Sequence, residues 1–144
     1  MVDCTGSCQC GGVQYRLTGT PLPLVICHCT ECQKQTASAF GMALPVAKQD
    51  LKLLSGTLKK WRRLADSGRE VFCYFCPDCG TRIYHSSSLG ADYWHLKPGT
   101  LDDTSWLNPA AQVWTKSAQA WLELASEILS FPGQPENISG LLKR

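Results

Sequence analysis

The residues in this sequence best suited to chemistry are its cysteines, of which the chain has nine. Thiolates are favoured ligands of zinc, and an odd number of cysteines disfavours a framework of disulfides. In a reducing cytosol, clustered cysteines indicate metal binding or catalysis before cross-linking. Seven of the nine fall into three short clusters, with the spacings Cys8-x-Cys10, Cys27-x-Cys29-x-x-Cys32 and Cys76-Pro-Asp-Cys79.

The last cluster, CPDCG, has the spacing of a zinc knuckle, in which a tight turn directs two sulfurs to one point. Gly80 suits this turn because glycine adopts positive φ angles without a steric penalty. Two more ligands are needed, and Cys8 and Cys10 can supply them, because alternate residues of an extended segment face the same side. With Cys76 and Cys79 they predict a closed, four-cysteine structural zinc site whose binding energy stabilises the fold.

The middle cluster places Cys27, Cys29 and Cys32 within six residues. Three thiolates can hold a second zinc ion and leave its fourth position open, as in catalytic zinc sites. A substrate thiol suits that position because zinc accepts thiolates readily. A redox-sensing triad is another interpretation, while the spacings fit iron–sulfur motifs poorly. In the simpler alternatives, water fills the fourth position of the second zinc, or one of three histidines closes a structural site: His28, His85 or His95.

A catalytic interpretation also needs a group that moves a proton. The candidates in the sequence are His28, between two cluster cysteines, and Tyr84 and His85, on a predicted strand after the knuckle. Cys4 and Cys73 lie outside the clusters, and Cys73 is interpreted as a buried strand cysteine.

These residues must be positioned by local structure, and the sequence predicts mostly strands. The segment from Gly12 to Thr18 alternates apolar and polar residues, which is the period of a half-buried strand. The segments Arg69 to Phe75 and Thr81 to Ser87 flank the knuckle and predict a hairpin. Helix is predicted only after Cys29 and near Trp121 to Leu129. The predicted fold class is therefore mainly β, with short antiparallel strands and little helix.

Composition and charge limit the classes of function. Hydrophobic residues form 44% of the chain and charged residues 18%, which predicts one globular domain over residues 1–144. The formal charge is +2, but two zinc ions on seven thiolates change it by +4 − 7 = −3, to 2 − 3 = −1. The basic segment from Lys59 to Arg63 is interpreted as a solvated strand face, with phosphates or carboxylates as alternative ligands. A nucleic-acid partner is disfavoured.

The sequence also bears on location. No apolar run approaches the roughly 20 residues of a membrane helix, so no membrane partner is predicted. The N-terminus lacks the basic start and the apolar core of a secretory signal. These features predict a cytoplasmic protein.

Several motifs resemble those of the glutathione-dependent formaldehyde-activating enzyme family, which includes centromere protein V. The resemblance implies a β-rich, tent-like zinc fold. It also implies a structural zinc on Cys8, Cys10, Cys76 and Cys79, and a second zinc on Cys27, Cys29 and Cys32. The matching segments follow the family's order: GSCQCGGVQY, CHCTECQKQTASAF, FCPDCGTRIY, GTLDD and VWTKSAQAWLEL.

The resemblance further implies an activity. In the name-giving member of the family, glutathione binds near the second zinc and condenses with formaldehyde to S-(hydroxymethyl)glutathione, a carbon–sulfur lyase reaction in reverse. The leading prediction is therefore a zinc-dependent carbon–sulfur lyase acting on a thiol adduct, with glutathione as the thiol. The alternative is a non-catalytic zinc scaffold that binds a protein or nucleic-acid partner.

Overall fold

The structure is a computed structural model that describes residues 1–88, 90–124 and 126–136. Its strands and helix confirm the predicted mainly β fold class. The described elements are β1 (Val2–Ser7), β2 (Gln14–Gly19), β3 (Leu24–Cys27), α1 (Thr30–Thr36), β4 (Gly41–Ala47), β5 (Leu51–Ser55), β6 (Lys59–Leu64), β7 (Glu70–Phe75), β8 (Arg82–Ser87), β9 (Tyr93–Leu96), β10 (Pro109–Val113) and β11 (Leu129–Ser130).

The chain divides into two compact units. The first unit contains Met1–Pro21 and Pro45–Trp106, and the second contains Leu22–Leu44 and Leu107–Arg144. Each sulfur cluster lies within one unit: the four-cysteine cluster in the first and the three-cysteine cluster in the second. The single domain expected over residues 1–144 stays a prediction.

One sheet of the first unit has the strand order β1-β2-β5, and all its pairings are antiparallel. The alternation predicted for Gly12 to Thr18 is confirmed, because Tyr15 and Leu17 of β2 are fully buried while Arg16 is exposed. The Tyr15 hydroxyl shares a 2.7 Å hydrogen bond with the Thr100 hydroxyl. The buried hydroxyl of Tyr15 thus has a hydrogen-bond partner within the apolar core.

The other ladder of the first unit runs through β6, β7, β8 and β9, again with antiparallel pairings. Strands β7 and β8 form the predicted hairpin, and the knuckle from Cys76 to Gly80 connects them. Residues on one face follow the register across the strands, from Trp61 through Cys73 and His85 to His95. The hairpin therefore fixes the position of the knuckle.

The second unit is built on β3, which pairs antiparallel with β4 and parallel with β10. Its small apolar core joins Val25 of β3 to Ala111 and Val113 of β10. Strand β10 also pairs in parallel with β11. Purely antiparallel strands were expected, and these two parallel ladders differ from that expectation. The long chain segment between β3 and β10 makes a parallel pairing accessible.

The helix predicted after Cys29 is confirmed as α1, but the helix predicted near Trp121 to Leu129 is wrong. The described residues of that segment form turns and the start of β11. Trp121 is 70% exposed, so the segment does not bury the apolar face that a short helix needs for stability.

Candidate metal centres and their surroundings

The first cluster is assembled from two tight turns. In the knuckle, the Gly80 amide donates a 2.9 Å hydrogen bond to the Cys76 carbonyl, and Gly80 has a φ of 76°. The other turn follows β1, where the Gly11 amide donates to the Cys8 carbonyl at 2.9 Å. Gly11 also has a φ of 76°, which other residues rarely adopt. Each turn thus presents two sulfurs in one direction.

The sulfur atoms of Cys8, Cys10, Cys76 and Cys79 all lie within 4.8 Å of one another. The Sγ–Sγ distance is 3.5 Å between Cys8 and Cys10, and 3.8 Å between Cys10 and Cys76. A tetrahedral zinc with Zn–S bonds of about 2.3 Å separates its sulfurs by about 3.8 Å, whereas a disulfide needs about 2.05 Å. The donor set therefore fits a zinc ion and not a disulfide.

Polar neighbours stabilise the thiolate form of two of these ligands, Cys8 and Cys79. The Val13 amide donates to the Cys8 sulfur at 3.2 Å. The Thr81 hydroxyl lies 3.2 Å from the Cys79 sulfur, and hydrogen bonding from Thr81 lowers the pKa of Cys79 to about 5. Metal ligands must be deprotonated, so these donors favour metal binding at neutral pH.

The second cluster forms where β3 ends and α1 begins. Cys27 is the last residue of β3, Cys29 is the N-cap of α1, and Cys32 lies in its first turn. The Cys29 sulfur accepts a hydrogen bond from the Cys32 amide at 3.3 Å, in the position where Ser or Asp usually caps a helix. The three sulfurs lie within 4.8 Å of one another.

The three thiols of this cluster are unequal in acidity. Hydrogen bonds from Cys27 and Cys32, with backbone donors, lower the pKa of Cys29 to about 2. The same interactions raise the pKa of Cys27, because its proton is shared with Cys29. Between Cys27 and Cys29, this hydrogen bonding therefore favours the thiolate form of Cys29, the form that binds a cation.

No histidine or carboxylate joins the three sulfurs within residues 1–88, 90–124 and 126–136. His28 is buried, and its Nε2 lies 2.8 Å from Oε1 of Gln112. The Gln112 amide nitrogen donates to the Ser130 hydroxyl, so the Gln112 oxygen accepts and the His28 Nε2 carries the proton. His28 also packs edge-on against Phe40. The ring of His28 therefore connects β3 to β10.

The other two proton-transfer candidates lie in the first unit. Tyr84 and His85 are consecutive on β8 and so face opposite sides of the sheet. Tyr84 packs on Tyr74 and Trp94, and burial raises its pKa to about 12. His85 stacks on His95 at 4.7 Å, and burial lowers the pKa of both rings, that of His95 to about 4. Near neutral pH the imidazoles are uncharged and the phenol keeps its proton.

Sequence reasoning did not identify Gln33, which ties α1 to its surroundings. Its side-chain nitrogen donates to the His28 carbonyl at 2.8 Å and to the Ser117 carbonyl at 2.9 Å. The Gln119 amide donates to the oxygen of Gln33 at 3.4 Å. The only sign of this role in the sequence is weak: Gln33 is a polar residue directly after Cys32.

Gly41 was also missed as a residue of this site. A Cβ added there would lie 3.1 Å from Cβ and 3.4 Å from Sγ of Cys32. Gly41 pairs with Cys27 across the β3–β4 ladder, which accounts for this proximity. The close packing against Cys32 therefore favours glycine at position 41.

The two remaining cysteines belong to neither cluster. Cys73 is buried in β7, and Cys4 is partly exposed in β1. None of the nine cysteines is in a disulfide. Among the described residues, no helix combines the length and the apolar character needed to cross a membrane.

Comparison with known proteins identifies a family and a structure of similar fold. The family model described as glutathione-dependent formaldehyde-activating enzyme matches residues 3–117, which is more than half of the chain. No curated protein matches the chain significantly. A crystal structure of a Rhodobacter sphaeroides protein, a structural genomics target, has a similar fold, with a TM-score of 0.55 and 20% sequence identity over 73% of this chain and 91% of that chain. The chain belongs to the glutathione-dependent formaldehyde-activating enzyme family.

Proposed function

We propose that this protein is a zinc-dependent enzyme of the carbon–sulfur lyase class, and that it acts on the adduct of glutathione with formaldehyde. The observation that carries the proposal is the difference between the two clusters. One offers four sulfurs, which complete a tetrahedral zinc site, and the other offers three. Family membership supports glutathione and formaldehyde as the reactants.

In this proposal Cys8, Cys10, Cys76 and Cys79 hold a structural zinc, and Cys27, Cys29 and Cys32 hold the second zinc. The second ion, when bound, favours the thiolate form of a thiol that occupies its fourth position. The protein's own part is to hold three sulfurs at one point, with Cys29 already ionised by its neighbours. We also propose a cytoplasmic location, which nine cysteines outside disulfides support.

The reaction adds the glutathione S–H across the C=O bond of formaldehyde. A sulfur–carbon bond forms, the carbonyl π bond breaks, and the thiol proton ends on the new hydroxyl oxygen. Of the predicted proton-transfer residues, His28 lies in the same unit as the three-cysteine cluster. Its Nε2 is engaged by Gln112 and its Nδ1 is buried without a hydrogen-bond partner among the described residues, so we propose Nδ1 as the proton-transfer atom of His28.

The test combines metal analysis with kinetics. Zinc-loaded protein should hold about two zinc ions and accelerate adduct formation above the spontaneous rate, measured by NMR. X-ray absorption at the zinc edge should show the mean number of sulfurs per zinc rise from about 3.5 to about 4 when glutathione is added.

Cys29→Ser should abolish both the acceleration and the spectral change, whereas Cys4→Ser, outside both clusters, should leave them unchanged. An unchanged spectrum together with only the spontaneous rate would contradict the proposal. The non-catalytic scaffold would then be the better interpretation.

A further inference from the structure

The first unit contains a cavity that neither cysteine cluster lines. Its volume is about 410 Å³, which is within the range of small-molecule sites. The cavity lies beside the β6 strand, where β7 ends and β8 begins. The residues that line it are Lys59, Lys60, Trp61, Phe75, Gly80 and Arg82.

Arg82 is the central cation of this cavity. Its guanidinium carbon lies 5.7 Å from the ring centroid of Trp61 and 5.6 Å from that of Phe75, so aromatic rings hold it in place. The Nη1 atom of Arg82 is buried and has no hydrogen-bond partner in the described part of the chain. An unpartnered guanidinium nitrogen favours an anionic acceptor, but Nη1 itself is shielded from solvent, so a ligand must contact the partly exposed remainder of the Arg82 side chain.

Other groups around the cavity add positive charge without compensating acid. Lys59 and Lys60 line it with Arg82. The ion pairs found in the described ranges join Arg16 to Asp3 and Arg62 to Glu70, and neither includes a cation of the cavity. The Gly80 amide is already bonded to the Cys76 carbonyl, so ligand binding would depend on side chains.

Trp61 supplies a second kind of contact. Its side chain is 50% exposed although it lines the cavity, so part of the indole remains open for stacking. Indole rings stack on nucleobases, and a planar guanidinium matches the geometry of a phosphate. A phosphate monoester carries close to two negative charges at pH 7, which suits Arg82 and Lys59 together better than a single carboxylate does. The ammonium of Lys60 is engaged elsewhere, 5.1 Å from the ring centroid of Phe72.

From these contacts we infer that the cavity lined by Arg82, Lys59 and Trp61 binds a small phosphate monoester with an aromatic ring, of the mononucleotide class. The phosphate contacts Arg82 and Lys59, and the base stacks on Trp61. None of the lining residues of this cavity is a cysteine of either cluster.

Calorimetric titration of the zinc-loaded protein with adenosine monophosphate tests the inference. The nucleotide should bind at least about tenfold more tightly than inorganic phosphate or adenosine alone, because only it makes both contacts. Its affinity should fall as salt is raised, since ionic contacts to the phosphate are screened. Cys29→Ser should bind the nucleotide as the unaltered protein does, which separates this test from that of the proposed activity.

Variants assign the contacts. Arg82→Gln should weaken nucleotide and phosphate binding by about tenfold or more. Trp61→Leu, at an exposed position that does not threaten the fold, should weaken nucleotide binding about tenfold and leave phosphate binding unchanged. Lys52→Gln, an exposed lysine of β5 away from the cavity, removes the same charge and should change neither.

Three results would overturn the inference. The first is no nucleotide binding at millimolar concentration. The second is equal affinity for adenosine monophosphate and for a dicarboxylate such as glutarate. The third is a ten-nucleotide single strand that binds far more tightly than the mononucleotide, which would make the surface a polymer site.

Discussion

At the scale of single residues, the second cluster depends on a position without a side chain. A methyl group on Gly41 would approach Cβ of Cys32 to 3.1 Å, closer than ordinary van der Waals contact. One of the two backbones would then move by a few tenths of an ångström. Cys32 lies in the short α1 helix, so it is the group that we expect to shift.

We predict that Gly41→Ala retains the fold but weakens zinc binding at the second cluster by about 10- to 100-fold, the usual effect of disturbing residues that support a metal ligand. Competition with a chromogenic chelator measures the loss as a fall from two tightly held ions to one. Gly133→Ala is the matched control, because a Cβ at Gly133 meets no atom within 4 Å. Equal zinc affinity in the two variants would show that Cys32 tolerates the added methyl group.

At the scale of elements, α1 illustrates how tertiary contacts stabilise a helix that its own sequence does not. Seven residues are too few for a stable isolated helix in water, and none of the residues of α1 is buried. The contacts that hold α1 are polar ones, chiefly those of Gln33 with the His28 and Ser117 carbonyls. These contacts hold α1 in place, and α1 contains Cys32 and is capped by Cys29.

Gln33→Ala should therefore loosen α1 and with it the second cluster. We expect faster hydrogen exchange in α1 and a zinc dissociation rate about tenfold higher at the second site, because a partly buried set of hydrogen bonds is worth roughly 1–2 kcal/mol. Mass-spectrometric hydrogen exchange and zinc release to a chelator measure these effects. Lys34→Ala, at the neighbouring exposed position, serves as control. Unchanged exchange in α1 would mean that Gln33 is not its anchor.

What the sequence could predict at this scale was local. The alternation before Thr18 and the hairpin around the knuckle follow from short-range periodicity, and both are confirmed. The parallel ladder of β10 with β3 joins residues far apart in the chain, so no local pattern could predict it. The contact of Gln112 with His28 could not be predicted for the same reason, because it depends on that ladder.

The cysteine spacings behaved differently from the rest of the site. The clusters could be grouped from the sequence because each turn holds its sulfurs within a few residues, and the structure brings the same sulfurs together. The surroundings could not be predicted, since Gly41 and Gln33 acquire their roles from the register of β4 and from the chain beyond β10. The helix predicted near Trp121 to Leu129 is wrong because a short segment that leaves Trp121 exposed lacks the packing that would stabilise a helix.

At the scale of the whole molecule, the two clusters should differ in their effect on stability. The four-cysteine cluster joins the turn after β1 to the β7–β8 hairpin, whereas the three-cysteine cluster spans six residues. We predict that Cys76→Ser lowers the free energy of unfolding by at least about 3 kcal/mol and the melting temperature by on the order of 10 °C. Cys29→Ser should lower them by much less.

Thermal unfolding followed by circular dichroism in zinc-containing buffer measures both effects. Cys4→Ser also removes one thiol, but Cys4 lies outside the clusters. This variant should therefore melt close to the unaltered protein. A melting temperature of Cys76→Ser equal to that of Cys29→Ser would contradict the structural assignment of the first cluster.

The separation of Cys8 from Cys79 along the chain has a consequence for biosynthesis. As the protein emerges from the ribosome, Cys27, Cys29 and Cys32 leave the exit tunnel almost together. Their three sulfurs are then available to bind an ion early in synthesis. Cys8 and Cys10 must wait until Cys79 has left the exit tunnel before their site can close. If both clusters bind zinc as proposed, the three-cysteine site can acquire its ion on a nascent, incomplete polypeptide, whereas the four-cysteine site can be completed only after Cys79 has emerged.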